Sequence, residues 1–147
     1  QALERRLGHV REHPKEMYVT FMPRGAGLTV LTDNERHITQ ARRRFMLLGQ
    51  TLAGMQVWDV GRCLQATRTL PGCSKAALQL WGRGDMASVV SLASLYEPSI
   101  GQLNLTGYPQ NDKEQPDYLN ISRIVTPGQI LDLAAMRSKV NLQDEKR

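Results

Sequence analysis

Residues 82–86, Gly-Arg-Gly-Asp-Met, could do chemistry in three ways. The tripeptide Arg83-Gly84-Asp85 is a sequence that cell-adhesion receptors can bind. If a helix starts here, its first backbone N–H groups could bind an anion with Arg83 beside them. A sharp turn between a strand and a helix can also hold a catalytic side chain at its centre. The elements around 82–86 decide among these interpretations.

The residues around this segment indicate that it joins a strand to a helix. Residues 76–81 form a short apolar run suited to a buried strand. The apolar residues that follow have helical spacing, which predicts a helix over 85–97: Met86, Val89, Val90, Ala93 and Tyr96. Adhesion receptors bind this tripeptide at the tip of an exposed, mobile loop, whereas residues 82–86 join a predicted buried strand to a helix. We therefore expect the tripeptide to occur here by chance.

Strand-like and helix-like segments alternate along the rest of the chain. MYVTFM, residues 17–22, is rich in β-branched and aromatic side chains and runs into a glycine loop. Further strands are predicted at 100–105 and 139–142. Helices are predicted at 2–10, at about 39–70 as one or two helices, and from the capping box at 126–129 to about 137, with one or two helical turns at 118–125.

This alternation predicts an α/β fold with a mostly parallel sheet flanked by helices. The expected strand order is 17–22, 77–81, 100–105 and 139–142, all parallel, with the later crossover helices on one face and 2–10 on the other. In such sheets ligands collect at the carboxyl ends of the strands. A ligand site is therefore expected among the loops that follow the predicted strands, which are 23–38, 82–86, 106–117 and the chain from 143 onward.

Charge and cysteine content exclude several classes of function. Lys and Arg outnumber Asp and Glu by 19 to 14, but the densest run, residues 42–44, lies on the polar side of a helical apolar stripe. We therefore expect no specific nucleic-acid binding. Cys63 and Cys73 occur without a CxxC motif or a histidine at ligand spacing. We expect two free, at least half-buried thiols, no metal site and no cofactor, although this spacing would also allow a disulfide.

No apolar run reaches the roughly 20 residues that a membrane span needs. We therefore expect a soluble protein with no membrane partner. Because the chain begins with Gln1, we expect that the native N-terminus has been removed or lies upstream, and the compartment stays open.

Three segments follow one another along the chain: ALERRLGHV…MYVTFMPRGAG, RRRFMLLGQTLAGMQVWDVGRCLQATRTL and ALQLWGRGDMA. Their order and spacing resemble the α/β-hydrolase superfamily, most closely its acetyl xylan esterase-like and prolyl-oligopeptidase-like branch. The first segment looks like that family's helix and its strand ending in an Arg-Gly-x-Gly loop, the second like its next long helix, and the third like its nucleophile elbow, Gly-x-Ser-x-Gly. The resemblance implies a single domain over 1–147, which we expect to be the C-terminal part of a longer chain.

The resemblance assigns positions in the elbow one by one. Gly82 matches its first glycine, and Gly84 stands where the family has its nucleophilic serine. Asp85 supplies the backbone N–H that would face an oxyanion, and Met86 replaces the final glycine. Asp144, just after the last predicted strand, stands where the family's acid would sit.

The other parts of that catalytic apparatus are missing. The family's histidine base comes late in the chain, whereas His9, His13 and His37 all precede the elbow. Ser88 and Ser91 lie inside the predicted helix, where a hydroxyl usually bonds back to its own backbone. Without a hydroxyl or thiol at the elbow no acyl-enzyme forms, and loss of such a nucleophile costs about a millionfold in turnover.

The resemblance therefore implies a hydrolase-like domain related to carbohydrate (acetyl xylan) esterases, catalytically degenerate, with a structural or binding role toward a carbohydrate or ester. One alternative is part of an active ester or peptide hydrolase whose catalytic residues lie elsewhere. Another is a small α/β module that binds an anion through Arg83, Gly84 and Asp85.

In the family another strand lies between those that match 17–22 and 77–81, and this sequence has none. Either that strand lies upstream of Gln1, or the two strands pair directly, or another molecule fills the gap. A bare sheet edge favours pairing. The expected partner is thus another part of the same chain or a second copy in a homo-oligomer.

Overall fold

The computed structural model describes residues 15–97 and 99–144, which form an α/β fold with three parallel strands in the order β1-β2-β3. This confirms the predicted fold class. Single 3-10 turns occur at Gly27–Thr29 and Ile121–Arg123. The helices and strands are α1 Glu35–Leu47, α2 Leu52–Arg68, β1 Leu78–Arg83, α3 Asp85–Tyr96, β2 Ile100–Thr106, α4 Pro127–Ala135 and β3 Lys139–Gln143.

The helices α2, α3 and α4 form one layer, with α3 at its centre. Helix α3 contacts β1 and β2 and also packs against α2 and α4. The two crossovers from β1 to β2 and from β2 to β3 step in the same direction, which puts their helices on the same face of the sheet. This part of the predicted layout is confirmed, and the helix predicted at 2–10 lies outside the described residues.

The prediction of a strand at 17–22 is wrong. Residues 16–23 are not part of the sheet, and β1 pairs with β2 alone among the strands of the described residues. The segment's large apolar side chains, Met17, Val19, Phe21 and Met22, are all exposed. High β-propensity makes a strand only where a neighbouring strand accepts its backbone hydrogen bonds. Direct pairing of 17–22 with β1, one of the three explanations of the gap, is therefore excluded.

The long helical stretch predicted at 39–70 is two helices, and it breaks at a position that we did not predict. The break lies at Gly49, which has a left-handed φ of 70°. Helix α2 then follows its N-cap residue Thr51, whose hydroxyl oxygen accepts a hydrogen bond from the Gly54 N–H at 3.1 Å. The glycines expected to weaken the stretch, Gly54 and Gly61, both lie inside the continuous helix α2.

The capping box predicted for the last helix is confirmed. The Gln129 N–H donates to the Thr126 hydroxyl oxygen at 3.3 Å, and the Thr126 N–H donates to the Gln129 side-chain oxygen at 2.9 Å. Pro127 occupies the first helical position. Helix α4 therefore begins where the sequence indicated, and it ends two residues earlier than expected.

The core lies between the sheet and this helical layer. Leu103 and Leu105 of β2 and Val89 of α3 are fully buried, together with Ile130 of α4. Helix α3 is the most enclosed element, since every residue from 87 to 94 is buried. The turn that begins α3 is therefore held by the best-packed part of the molecule.

Strand β1 and helix α3 meet at Gly82. A Cβ atom there would lie 2.6 Å from the Met86 carbonyl oxygen and 2.7 Å from the Ala87 Cα. Both atoms belong to the backbone, so they cannot turn aside as the end of a flexible side chain could. Only glycine fits at this position without moving the strand away from the helix.

We expect Gly82→Ala to lower the free energy of unfolding by about 1–3 kcal/mol, because the added methyl group overpacks a backbone contact. Gly101→Ala in β2 is the matched control, since a Cβ there would lie an ordinary 3.7 Å from the Leu78 carbonyl oxygen. Urea unfolding midpoints compare the two. Equal midpoints for both variants would contradict the close approach.

Candidate functional site

The turn between β1 and α3 has the sharp backbone that the sequence suggested. Gly84 has φ 56° and ψ −129° and immediately precedes the helix. Its N–H donates to the Thr106 carbonyl oxygen at 2.9 Å, and its carbonyl oxygen accepts from the Ala87 N–H at 2.8 Å. The turn is thus hydrogen-bonded to the next strand on one side and to its own helix on the other.

A side chain at residue 84 would point into open space. A Cβ built on Gly84 would meet no atom within 4 Å. The space that a nucleophile would occupy is therefore present, although the positive φ strains any residue other than glycine. Steric crowding is not the reason that residue 84 lacks a side chain.

The two charged residues beside Gly84 belong to different elements and are both exposed. Arg83 is the last residue of β1, and Asp85 is the first residue of α3. The Asp85 carboxylate interacts favourably with the positive end of the helix dipole. An anion at this turn would meet that carboxylate, and the Gly84 N–H already donates to Thr106. This arrangement gives the anion-binding alternative little support.

A cavity of about 330 Å³ lies beside the turn. Three of the four loops at the carboxyl ends of the predicted strands contribute to it, including Gly25 and Ala26 from the glycine loop, Asp85 and Met86 from the turn, and Pro116 and Asp117 from the third loop. Helices α1 and α2 supply apolar walls such as Phe45 and Leu52. The fourth loop, from residue 143 onward, does not line this cavity.

The glycine loop is fixed to helix α2 by a paired arginine and aspartate. The Arg24 Nε donates to Asp59 Oδ2 at 2.7 Å, and the Arg24 backbone N–H reaches the same oxygen at 3.1 Å. The second guanidinium nitrogen contacts Asp59 Oδ1 at 2.5 Å. The Gln56 side-chain amide adds a hydrogen bond to the Arg24 carbonyl oxygen at 2.9 Å. Both the backbone and the side chain of Arg24 are therefore hydrogen-bonded to α2.

This pairing shifts the pKa values of both groups. The hydrogen bonds from Arg24 lower the pKa of the Asp59 carboxyl, against the opposing effect of its partial burial. The bond to Asp59 raises the pKa of the Arg24 guanidinium. Sequence reasoning missed Asp59 and Gln56. The available signal was an aspartate within the otherwise apolar helical segment VWDV.

The serines that follow the turn are inaccessible. Ser88 is fully buried and accepts a hydrogen bond from the Tyr118 hydroxyl at 3.2 Å. Ser91 is also fully buried and donates to the Ala87 carbonyl oxygen at 2.8 Å. Burial raises the pKa of Tyr118 to about 12, so its hydroxyl stays neutral at physiological pH. Neither serine can replace a nucleophile at residue 84.

The remaining candidate residues do not assemble at the turn. Asp144 is exposed just after β3, and His37 is exposed on α1; neither lines the cavity. His9 and His13 lie outside the described residues. Cys63 and Cys73 are free and partly buried, and burial raises the pKa of the Cys63 thiol.

No protein-family model, curated protein or solved structure matches this chain. Among residues 15–97 and 99–144, no helix is long and apolar enough to cross a membrane.

The Arg24–Asp59 contact should make stability depend on acid pH. Because the pKa of Asp59 is lower in the folded chain, its ionised form stabilises the fold above the unfolded pKa of about 3.9. That stabilisation disappears as the pH falls through the lower folded value. We expect Asp59→Asn to be less stable than the wild type at neutral pH, with the difference shrinking in acid.

Unfolding in urea at neutral and acid pH measures this difference. Asp112→Asn, in an exposed part of the 106–117 loop, is the control and should follow the wild type. A wild-type advantage over Asp59→Asn that stayed constant from neutral to strongly acid pH would refute the ionic contribution of the pair.

Proposed function

We propose that this chain is a hydrolase-like domain of the acetyl xylan esterase-like and prolyl-oligopeptidase-like type whose elbow has lost its nucleophile. Its remaining role is structural or binding, toward a carbohydrate or its ester. The observation that carries the proposal is Gly84: a positive φ at a strand-to-helix turn, space for a side chain, and no side chain.

The surrounding geometry supports an elbow in particular. An elbow needs a small residue before the nucleophile because the strand and the helix approach closely there. Gly82 meets that requirement, with backbone atoms of α3 within 2.7 Å of the place where its Cβ would lie. Two separate features of the motif, the close approach and the left-handed turn, therefore occur at the expected spacing.

The cavity next to the turn supports a binding role. Its volume of about 330 Å³ lies at the lower end of the range for small-molecule sites. Its walls are mainly apolar, with Val30, Ile38 and Phe45 on one side and Met86 on the side of the turn. Arg42, Asp85 and Asp117 also line the cavity, and its apolar part suits the acyl group of an ester. The sugar itself would lie toward the open side.

The active-hydrolase alternative lacks a nucleophile at residue 84 and a histidine after the elbow. We expect the wild type to release no nitrophenol from p-nitrophenyl acetate beyond a heat-inactivated sample. Gly84→Ser should also fail to turn over, since a restored hydroxyl would still have no base. Gly72→Ser is the matched control, because Gly72 has φ 79° and equally open surroundings.

Turnover by the wild type would reject the degenerate interpretation. Turnover by Gly84→Ser alone would show instead that another residue acts as the base and that the missing side chain at residue 84 is the only defect. Both outcomes are read against Gly72→Ser, which carries the same substitution away from the turn.

Binding can be tested with a thiol placed at the turn. In a chain with Cys63 and Cys73 changed to alanine, we expect Gly84→Cys to react with iodoacetamide faster than Gly72→Cys, because a helix N-terminus lowers the pKa of a thiol. Acetylated xylotriose should slow labelling at residue 84 and leave residue 72 unaffected. Unacetylated xylotriose should protect less.

Equal labelling of Gly84→Cys with and without the acetylated sugar would remove support for a carbohydrate ester as ligand. Equal rates at residues 84 and 72 without sugar would argue against the elbow geometry itself. The two readouts therefore separate the site from its ligand.

A further inference from the structure

A second concave surface adjoins the cavity beside the turn, and Thr51 lines both. Its volume is about 890 Å³, and we call it the α2–α3 groove. It is bounded by α2, by the C-terminal half of α3 and by the segment 118–124. Most of its lining is apolar, including Met55, Leu92 and Ile121.

Helix α2 presents an unusual face to this groove. Gly54, Trp58 and Gly61 follow one another at i, i+4 and i+7, and all three line the groove. A Cβ at Gly61 would meet no atom within 4 Å, and one at Gly54 would meet only the Thr51 hydroxyl, at 3.2 Å. A glycine inside a helix costs about 1 kcal/mol relative to alanine. Packing among the described residues gives no reason for Gly61.

Trp58 lies between the gaps at Gly54 and Gly61, which we call the glycine notches. Its side chain is 57% exposed, and the Arg62 guanidinium lies 4.6 Å from the centre of its ring. The opposite wall carries further exposed apolar side chains, since Tyr96 is 79% and Ile124 is 81% exposed. Contiguous apolar exposure of this kind marks an interaction surface more often than scattered single residues do.

The same face of α2 has a protruding side chain and gaps that can receive one. Trp58 protrudes, and the notches at Gly54 and Gly61 recede beside it. The lining of the groove also carries both signs of charge, with Arg62 on α2 and Glu97 just after α3. In a two-fold dimer one patch meets its own copy, so a surface with a projection, a recess and opposite charges can satisfy itself.

We propose that the α2–α3 groove is the interface of a two-fold dimer of this chain. Trp58 of each copy packs against the glycine notches of the other, and Arg62 of each copy faces Glu97 of the other. This interface is separate from the sheet edge, and it does not depend on the proposed function of the elbow.

Sedimentation velocity over a wide concentration range tests the proposal. We expect the wild type to dimerise, and we expect Trp58→Ser and Gly61→Gln each to raise the dimer Kd by about tenfold or more, as losses at the centre of an interface do. Trp81→Ser is the matched control, because Trp81 is 58% exposed but lies on β1 outside the groove. Circular dichroism checks that each variant is folded.

Charge reversal gives a second measurement that does not alter the glycine notches. Arg62→Glu and Glu97→Arg should each weaken the dimer, and the double reversal should restore much of the lost affinity. A wild type that is monomeric at every concentration overturns the proposal, whether another protein or a lipid surface occupies the groove. A dimer indifferent to Trp58→Ser and Gly61→Gln, or a double reversal as weak as the singles, overturns it as well.

Discussion

The contact between β1 and α3 at Gly82 determines the arrangement of the candidate site. With no Cβ at this residue, the strand comes within contact distance of the helix backbone. The chain then has to reverse between Arg83 and Asp85, and the left-handed Gly84 provides that reversal. A side chain at residue 82 would push the helix outward and open the turn, so the geometry of residue 84 depends on the glycine two positions earlier.

A second, polar contact holds the other side of the cavity. The paired Arg24 and Asp59 attach the glycine loop to α2, and α2 packs against α3. The loop and the turn are therefore positioned through the same central helix, although they are about sixty residues apart in sequence. The first contact depends on the missing Cβ of Gly82 and the second on opposite charges, so we expect different substitutions to break them.

Sequence patterns predicted the elements whose determinants are local. The capping residues of α4, the apolar run of β1 and the helical spacing of α3 all lie within a few neighbouring residues. The prediction of a strand at 17–22 was wrong because a strand must pair with a neighbouring strand, and the residues of the segment do not determine whether such a neighbour is present. The break at Gly49 was missed because a glycine favours, but does not require, a left-handed φ. Asp59 was missed because its partner, Arg24, is 35 residues away.

Gly84 also has an evolutionary consequence. A single base change converts a glycine codon of the GGU or GGC type into a serine codon, so the genetic distance between the two residues is minimal. Their energetic distance is not, because a serine in this left-handed turn is strained by about 1–3 kcal/mol, whereas glycine adopts the turn freely. If the proposed loss of a serine took place here, it made the fold more stable, and a return to serine would make the fold less stable. Without selection for activity, stability alone would then favour keeping the glycine.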